Sequence, residues 1–163
     1  MSPTSRQDGA AADRGERDSD GGAGSRHQAR QSAVELLYAW QIGGCDPADV
    51  APLVAGRIAE RRRMDTDYFR ALVEGVITCR EELDGAIAKA LTGRRLEHVG
   101  AIELAILRVG CWELSRRLEI PYRVILDEAV ELGHEYGDDP VPSFVNGILD
   151  RLARTLRAAE TAA

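Results

Sequence analysis

The residues best suited to chemistry in this 163-residue chain cluster near position 26. Arg26, His27, Gln28 and Arg30 follow a stretch rich in Gly, Ala, Ser, Asp and Arg, and they open a helical apolar pattern. Basic groups at such a junction can approach a phosphate backbone with little steric cost, and the free amides of a helix N-terminus add a favourable dipole. Tyr38 follows two turns later, about 80° around the helix from Arg30. An exposed aromatic beside arginines can stack an unpaired base. On composition alone the plainer reading has more weight: solvated residues at a helix start and a tyrosine at the rim of the core. The Arg61-Arg62-Arg63 run ends a second helical pattern, where cations offset a helix C-terminus.

Enzymatic chemistries find no such foothold. His27, His98 and His134 form no H-x-x-x-H pair, so no zinc site is expected. Cys45, Cys79 and Cys111 are odd in number and form no C-x-x-C motif, which argues against a disulfide framework and suits a reducing cytosol. There is no G-x-S-x-G elbow and no phosphate-binding lysine in a glycine-rich loop. Gly22-Ala23-Gly24 precedes no strand pattern. Cys111 lies among apolar residues and reads as an inert buried thiol. The carboxylates between 122 and 136 are spaced around a solvated face. We therefore expect a binding protein with no catalytic residue, no metal and no cofactor.

Charge sharpens this reading. The net charge is −6, which excludes a protein that coats nucleic acid indiscriminately. Residues 26–63 depart from the acidic background, with six arginines against four carboxylates. Lys89 is the sole lysine among 21 basic residues, and arginine is the better bidentate partner for phosphate and bases. Coding bias explains that preference equally simply. No apolar run is long enough for a membrane span, and no apolar leader is expected at the N-terminus.

The elements that must position these residues are helical throughout. Residues 1–25 carry no large apolar side chain after Met1, so they read as a disordered tail. The domain then spans 26–159, with 160–163 as a short C-terminal tail. Ala29, Ala33, Leu36, Leu37 and Trp40 form one stripe, which stops at Gly43-Gly44. Pro47 opens a second helix carrying Val50, Leu53, Val54 and Ile58. A third pattern runs from Asp65 to Leu91, long enough that a kink near Gly75 or Cys79 is expected. The fourth, Val99 to Arg117, carries two apolar stripes, one with Ile102 and Ile106, the other with Leu104, Leu107, Leu114 and Leu118. A helix apolar on two sides is packed from two sides, so it should be central. A fifth helix spans Tyr122 to Tyr136, with Asp127, Glu128, Glu131 and Glu135 facing out. A last one follows Ser143, its candidate N-cap, and carries Phe144, Ile148, Leu149 and Leu152. Asn146-Gly147 lies inside that stripe and is read as helix despite its turn propensity. The fold class is all-α, a compact bundle of six or seven helices.

In order along the chain, four segments resemble the NusB family of bacterial transcription antitermination factors. Arg26-His27-Gln28-Ala29-Arg30 with Ala33 to Gln41 is similar to its N-terminal helix, and Glu103 to Leu114 to its central helix. Ile120 to Leu132 is similar to the next helix, and Phe144 to Asp150 to the closing signature. The resemblance implies two helical halves that bind boxA-type single-stranded RNA of ribosomal RNA transcripts. It also implies the ribosomal protein NusE as partner, within an RNA polymerase elongation complex containing other Nus factors. It carries RNA-binding roles onto Arg26, His27, Arg30 and Tyr38. Glu97, Glu103, Arg108, Phe144 and Asn146 match family positions near RNA or partner. There a carboxylate can accept from a base amino group and Phe144 can stack on a base. Glu103 and Arg108 could instead form a surface ion pair, and Gly147 is read as a close helix contact. Two other readings compete: the RNA-binding appendage of a ribosomal RNA cytosine methyltransferase, and a helical module that forms homodimers. The first needs a cofactor-binding α/β domain, which does not precede Ala163.

Overall fold

The computed structural model describes residues 17–61 and 63–162. Eight α-helices follow one another: α1 (Arg17–Ile42), α2 (Val50–Glu60), α3 (Thr66–Thr78), α4 (Arg80–Ala90), α5 (Ala101–Arg116), α6 (Tyr122–Tyr136), α7 (Pro140–Leu156) and α8 (Ala158–Thr161). Short 3-10 turns at Pro47–Asp49 and Leu96–His98 complete the order, and no strand occurs among the described residues.

The doubly apolar pattern has its expected consequence. Every residue of α5 from Leu104 to Leu114 is buried, and the helix touches α1, α3, α4, α6 and α7. One half groups α1 with α2 and α3, the other groups α6 with α7, and α5 belongs to both. Leu118 does not extend the second stripe, because α5 stops at Arg116 and leaves Leu118 exposed.

Several boundaries differ from the sequence reading, each for a local reason. The helix expected from Arg26 begins at Arg17, and Ser25 is held within it: its hydroxyl donates to the Gly22 carbonyl and its own carbonyl accepts from the Asp65 amide. The first sixteen residues of the expected tail lie outside the described residues, as does Arg62. The long third pattern breaks at Cys79, one of the two positions where a kink was expected, and the break is complete enough to make two helices, since the Cys79 φ of −97° and ψ of 14° leave the helical range. The final helix starts at Pro140, three residues before the expected cap; a proline in the first turn lacks only an amide that had no helical partner anyway. Ser143 is thus an exposed residue inside α7. The break at Cys79 and the single turn α8 raise the helix count above the six or seven expected.

The close helix approach also lies elsewhere than expected. A Cβ at Gly147 would meet nothing within 4 Å, whereas one at Gly75 would lie 2.2 Å from Trp112 Nε1. Gly75 is therefore the position where α3 lies against α5. Gly75→Ala should destabilise the protein by about 1–3 kcal/mol through overpacking. Gly85→Ala, on an open face of α4, should stabilise it by about 0.5–1 kcal/mol. Urea unfolding midpoints of the two variants should fall on opposite sides of the parent.

Candidate nucleic-acid interface

The middle of α1 is a dense ionic site, and because the helix begins at Arg17 no free N-terminal amides accompany Arg26 to Arg30, contrary to the sequence expectation. Its apolar stripe (Ala29, Ala33, Val34, Leu36, Leu37) is buried in the core, and this draws Arg30 inward with it. Arg30 is 3% exposed and meets Glu113 of α5, itself 1% exposed. The pair is bidentate, with Nε 3.0 Å from Oε1 and Nη2 2.9 Å from Oε2. The Tyr68 hydroxyl of α3 donates to the same Oε2. Burial disfavours the Arg30 charge, but the hydrogen bonds and charge of Glu113 outweigh it and raise the guanidinium above its ordinary value. Burial, with Glu113 next, likewise raises Tyr68 well above the usual phenol range, so it stays a donor. Arg26 and Arg117 lie over the Tyr68 ring at 4.9 and 4.8 Å, within cation–π range.

His27 sits on the neighbouring face and spans to α6. Its Nδ1 is 2.6 Å from Glu128 Oε2 and its Nε2 2.8 Å from Glu135 Oε1. Burial works against protonation here, but both carboxylates outweigh it and raise the His27 pKa above 6.5. Gln31 donates to Glu135 Oε2 at 2.7 Å, and Arg61 beyond α2 pairs with Glu35 at 2.8 Å. The expected role of Arg61 at a helix end is thus accompanied by a tie from the end of α2 to α1.

A second cluster forms at the opposite end of α5. Glu103 and Glu113 are ten residues apart, so the two sites lie about 15 Å apart along the helix axis. Arg94 reaches from the loop after α4 to cover Phe144, its guanidinium 4.7 Å from the ring centroid. It lies 3.5 Å from Glu103 Oε2, and that oxygen accepts no hydrogen bond. Phe144, Arg94 and Arg151 help to line a cleft of about 370 Å³ between this loop and α7. An aromatic ring and arginines at one cleft are parts that can hold a splayed base, while Glu103 lies behind Arg94 and does not line the cleft.

The remaining sequence-derived residues distribute unevenly. Tyr38 is 39% exposed on α1, and Glu97 is exposed in the Leu96–His98 turn. Asn146 is exposed and lines a different cleft, with Tyr122, Arg123 and Asp150. Arg108 is 5% exposed and does not pair with Glu103. It holds Asp84 of α4 through two 2.9 Å bonds and Gln41 of α1 through one of 3.0 Å. The structure therefore joins Arg26, His27 and Arg30 in one site and Glu103 with Phe144 in another. Arg94 was missed by sequence reasoning, because nothing in Thr92-Gly93-Arg94-Arg95 distinguishes it from its neighbour. The partners Glu113, Glu128, Glu135 and Asp84 were missed because each lies more than 20 residues from the arginine or histidine it meets. Cys111 is buried as expected, and burial, with the Glu82 and Asp84 charges next, pushes its thiol up to about 12.

Comparison with known proteins places this arrangement. The chain matches the NusB family over residues 27–154. Transcription antitermination protein NusB of Edwardsiella ictaluri is 41% identical over 133 residues, covering 82% of this chain and 94% of that protein. The Escherichia coli K12 protein of the same name is 42% identical over 135 residues, with the same coverage of 82% and 94%. Among solved structures, T. maritima NusB superposes with a TM-score of 0.72 at 25% identity, over 79% of this chain and 90% of that one. A structure of antitermination factors NusB and NusE in complex with dsRNA contains a chain matching at a TM-score of 0.67 and 27% identity, over 79% and 96%.

Two outcomes follow from the geometry. Arg30→Ala strands Glu113 in the core and should cost about 3–5 kcal/mol, whereas Arg26→Ala, a half-exposed cation–π contact, should cost about 1 kcal/mol or less. Chemical denaturation of both variants measures the difference. Cys45 and Cys79 are half-buried and Cys111 is fully buried. A thiol reagent at pH 8 should titrate two cysteines in the native protein and the third only on unfolding.

Proposed function

The chain belongs to the NusB family, and we propose that it acts as a bacterial transcription antitermination factor. It binds boxA-type RNA of ribosomal RNA transcripts together with the ribosomal protein NusE, inside the RNA polymerase elongation complex with other Nus factors. It is a non-enzymatic assembly factor working in the cytoplasm. The observation that carries this reading is the match, at a TM-score of 0.67 over 79% of the chain, to a NusB solved with NusE and RNA. Relatives named as antitermination proteins align over 94% of their own length, which favours this role over that of a methyltransferase appendage. No helix among the described residues is long and apolar enough to cross a membrane.

The RNA-facing set in this reading is Arg26, His27, Arg30, Tyr38, Glu97, Glu103, Arg108, Phe144 and Asn146, divided by burial and by existing contacts into two roles. Arg26, Tyr38, Glu97, Glu103, Phe144 and Asn146 retain some exposed surface, and they contact RNA. Arg30 and Arg108 are buried with their guanidinium groups committed to Glu113 and Asp84, and His27 has both ring nitrogens engaged by Glu128 and Glu135, so these three position the helices that carry the others. Arg94 joins the contacting set because its guanidinium covers Phe144. The acidic remainder of the domain suits a basic ribosomal protein. Each ligand presents part of the other's site, which gives positive coupling of about 1–3 kcal/mol.

Fluorescence anisotropy with a short boxA-like RNA and a scrambled control, with and without NusE, tests the reading. Binding should be sequence-selective and tighter with NusE. Few phosphates are contacted, so the salt slope should be shallow, about −0.7 per contact. Arg26→Ala should weaken both RNAs alike, and Glu103→Gln should change the preference between them. Equal weak binding of both RNAs, unmoved by NusE, contradicts the proposal.

A further inference from the structure

His27 was read in the sequence as a nucleic-acid residue, and no zinc pattern includes it. The fold gives it different company. His27, Glu131 and Glu135 each offer a ligand atom, and these atoms all lie within 4.8 Å of one another. Glu131 and Glu135 are one turn apart on α6, so they share a face. His27 comes from α1, more than 100 residues away in sequence, so no local motif announces the set.

Three features make this more than a patch of acid. The first is the nitrogen donor, which arrives from a separate helix and faces the two carboxylates. The second is the state of its ring: Nδ1 is engaged by Glu128 at 2.6 Å, which directs Nε2 toward Glu135 at 2.8 Å. A carboxylate holding the far nitrogen of a metal-binding imidazole is the usual outer partner of such a ligand, fixing both tautomer and orientation. The third is Glu131, which is exposed and has no hydrogen bond or ion pair among the described residues.

We propose that His27, Glu131 and Glu135 bind one divalent transition-metal ion, with zinc as the best-fitting member of the class, and that Glu128 orients the imidazole. One imidazole and two carboxylates leave a fourth position for water, as in three-ligand zinc sites. Zinc ligands stand about 2.0–2.1 Å from the metal and hence about 3.3–3.4 Å from one another, so the 2.8 Å contact of His27 with Glu135 must open slightly while Glu131 draws in. The long exposed side chains of Glu131 and Glu135 can supply that movement. On binding, the proton on Nε2 leaves to solvent and the Nδ1 proton stays on Glu128's side of the ring. Gln31 holds the second oxygen of Glu135 at 2.7 Å, and Arg30 stands 3.6 Å from Glu128. Arg30 is already neutralised by Glu113, so the carboxylates keep the pocket attractive to a cation. The ion ties the middle of α1 to α6, independently of any RNA.

The test is calorimetric titration of the full chain with Zn²⁺ in a non-coordinating buffer at pH 7.5, with ¹⁵N spectra of the histidine rings. One saturable site should appear, and Glu131→Gln should weaken it at least tenfold while leaving the helical circular dichroism unchanged. Glu74→Gln, an exposed carboxylate on α3, should change nothing. The His27 Nε2 resonance should shift on zinc addition while Nδ1 remains protonated. Absence of a saturable site overturns the proposal. So does binding that Glu131→Gln leaves intact, or an unmoved His27 ring, since either places the ion elsewhere, such as at the cysteines.

Discussion

The fold depends on a charge that cannot reach water. Glu113 sits in the middle of the molecule, and its two oxygens are taken up by the Arg30 guanidinium and the Tyr68 hydroxyl. An isolated carboxylate at that depth would be prohibitively costly. It is tolerated because α1 and α3 each contribute one partner. Hydrophobic burial would let these helices slide and rotate by small amounts. A bidentate pair with a third donor admits only one arrangement. Arg108, five residues earlier on α5, repeats the device against α4 and the end of α1.

This gives the central helix two kinds of work. Its apolar faces provide cohesion, and its two buried ions fix register. The exposed groups near them inherit that precision. Arg26 lies over Tyr68 because Tyr68 is held by Glu113. His27 meets α6 at a fixed height because Arg30, one turn on, is anchored. At the other end no buried ion pair with Glu103 is present among the described residues. Arg94 is exposed, Glu103 has an oxygen without a hydrogen bond, and the contacts between them are longer. One site is rigid and the other has slack, which suits a surface that must hold one ligand in place while adapting to another.

The helices were legible because periodicity is a local property. The span of α6 and the centrality of α5 follow from apolar spacing alone. The break at Cys79 was legible from the length of the pattern, whereas the start of α7 at Pro140 was not. The candidate site was legible in its residue types but not in its burial. Arg30 looks like a solvated helix-start residue until Glu113 is found beside it. Arg108 looks like a partner for Glu103 until Asp84 is seen to hold it. In both cases the sequence displays the charge, and only the tertiary structure displays what neutralises it. Arg94 shows the converse: an arginine in an unremarkable loop acquires a role from the aromatic that happens to lie beneath it.

The ionic partners of α1 have a temporal consequence. Arg30 waits for a residue 83 positions later, and His27 for one 101 positions later. At typical synthesis rates of about 5–20 residues per second, the helix bearing Arg30 exists for roughly 4–17 s before Glu113 is even made. Until then Arg30 lacks the buried carboxylate that holds it in the folded protein. An arginine that ends buried is therefore, while the chain is being born, still open to other partners.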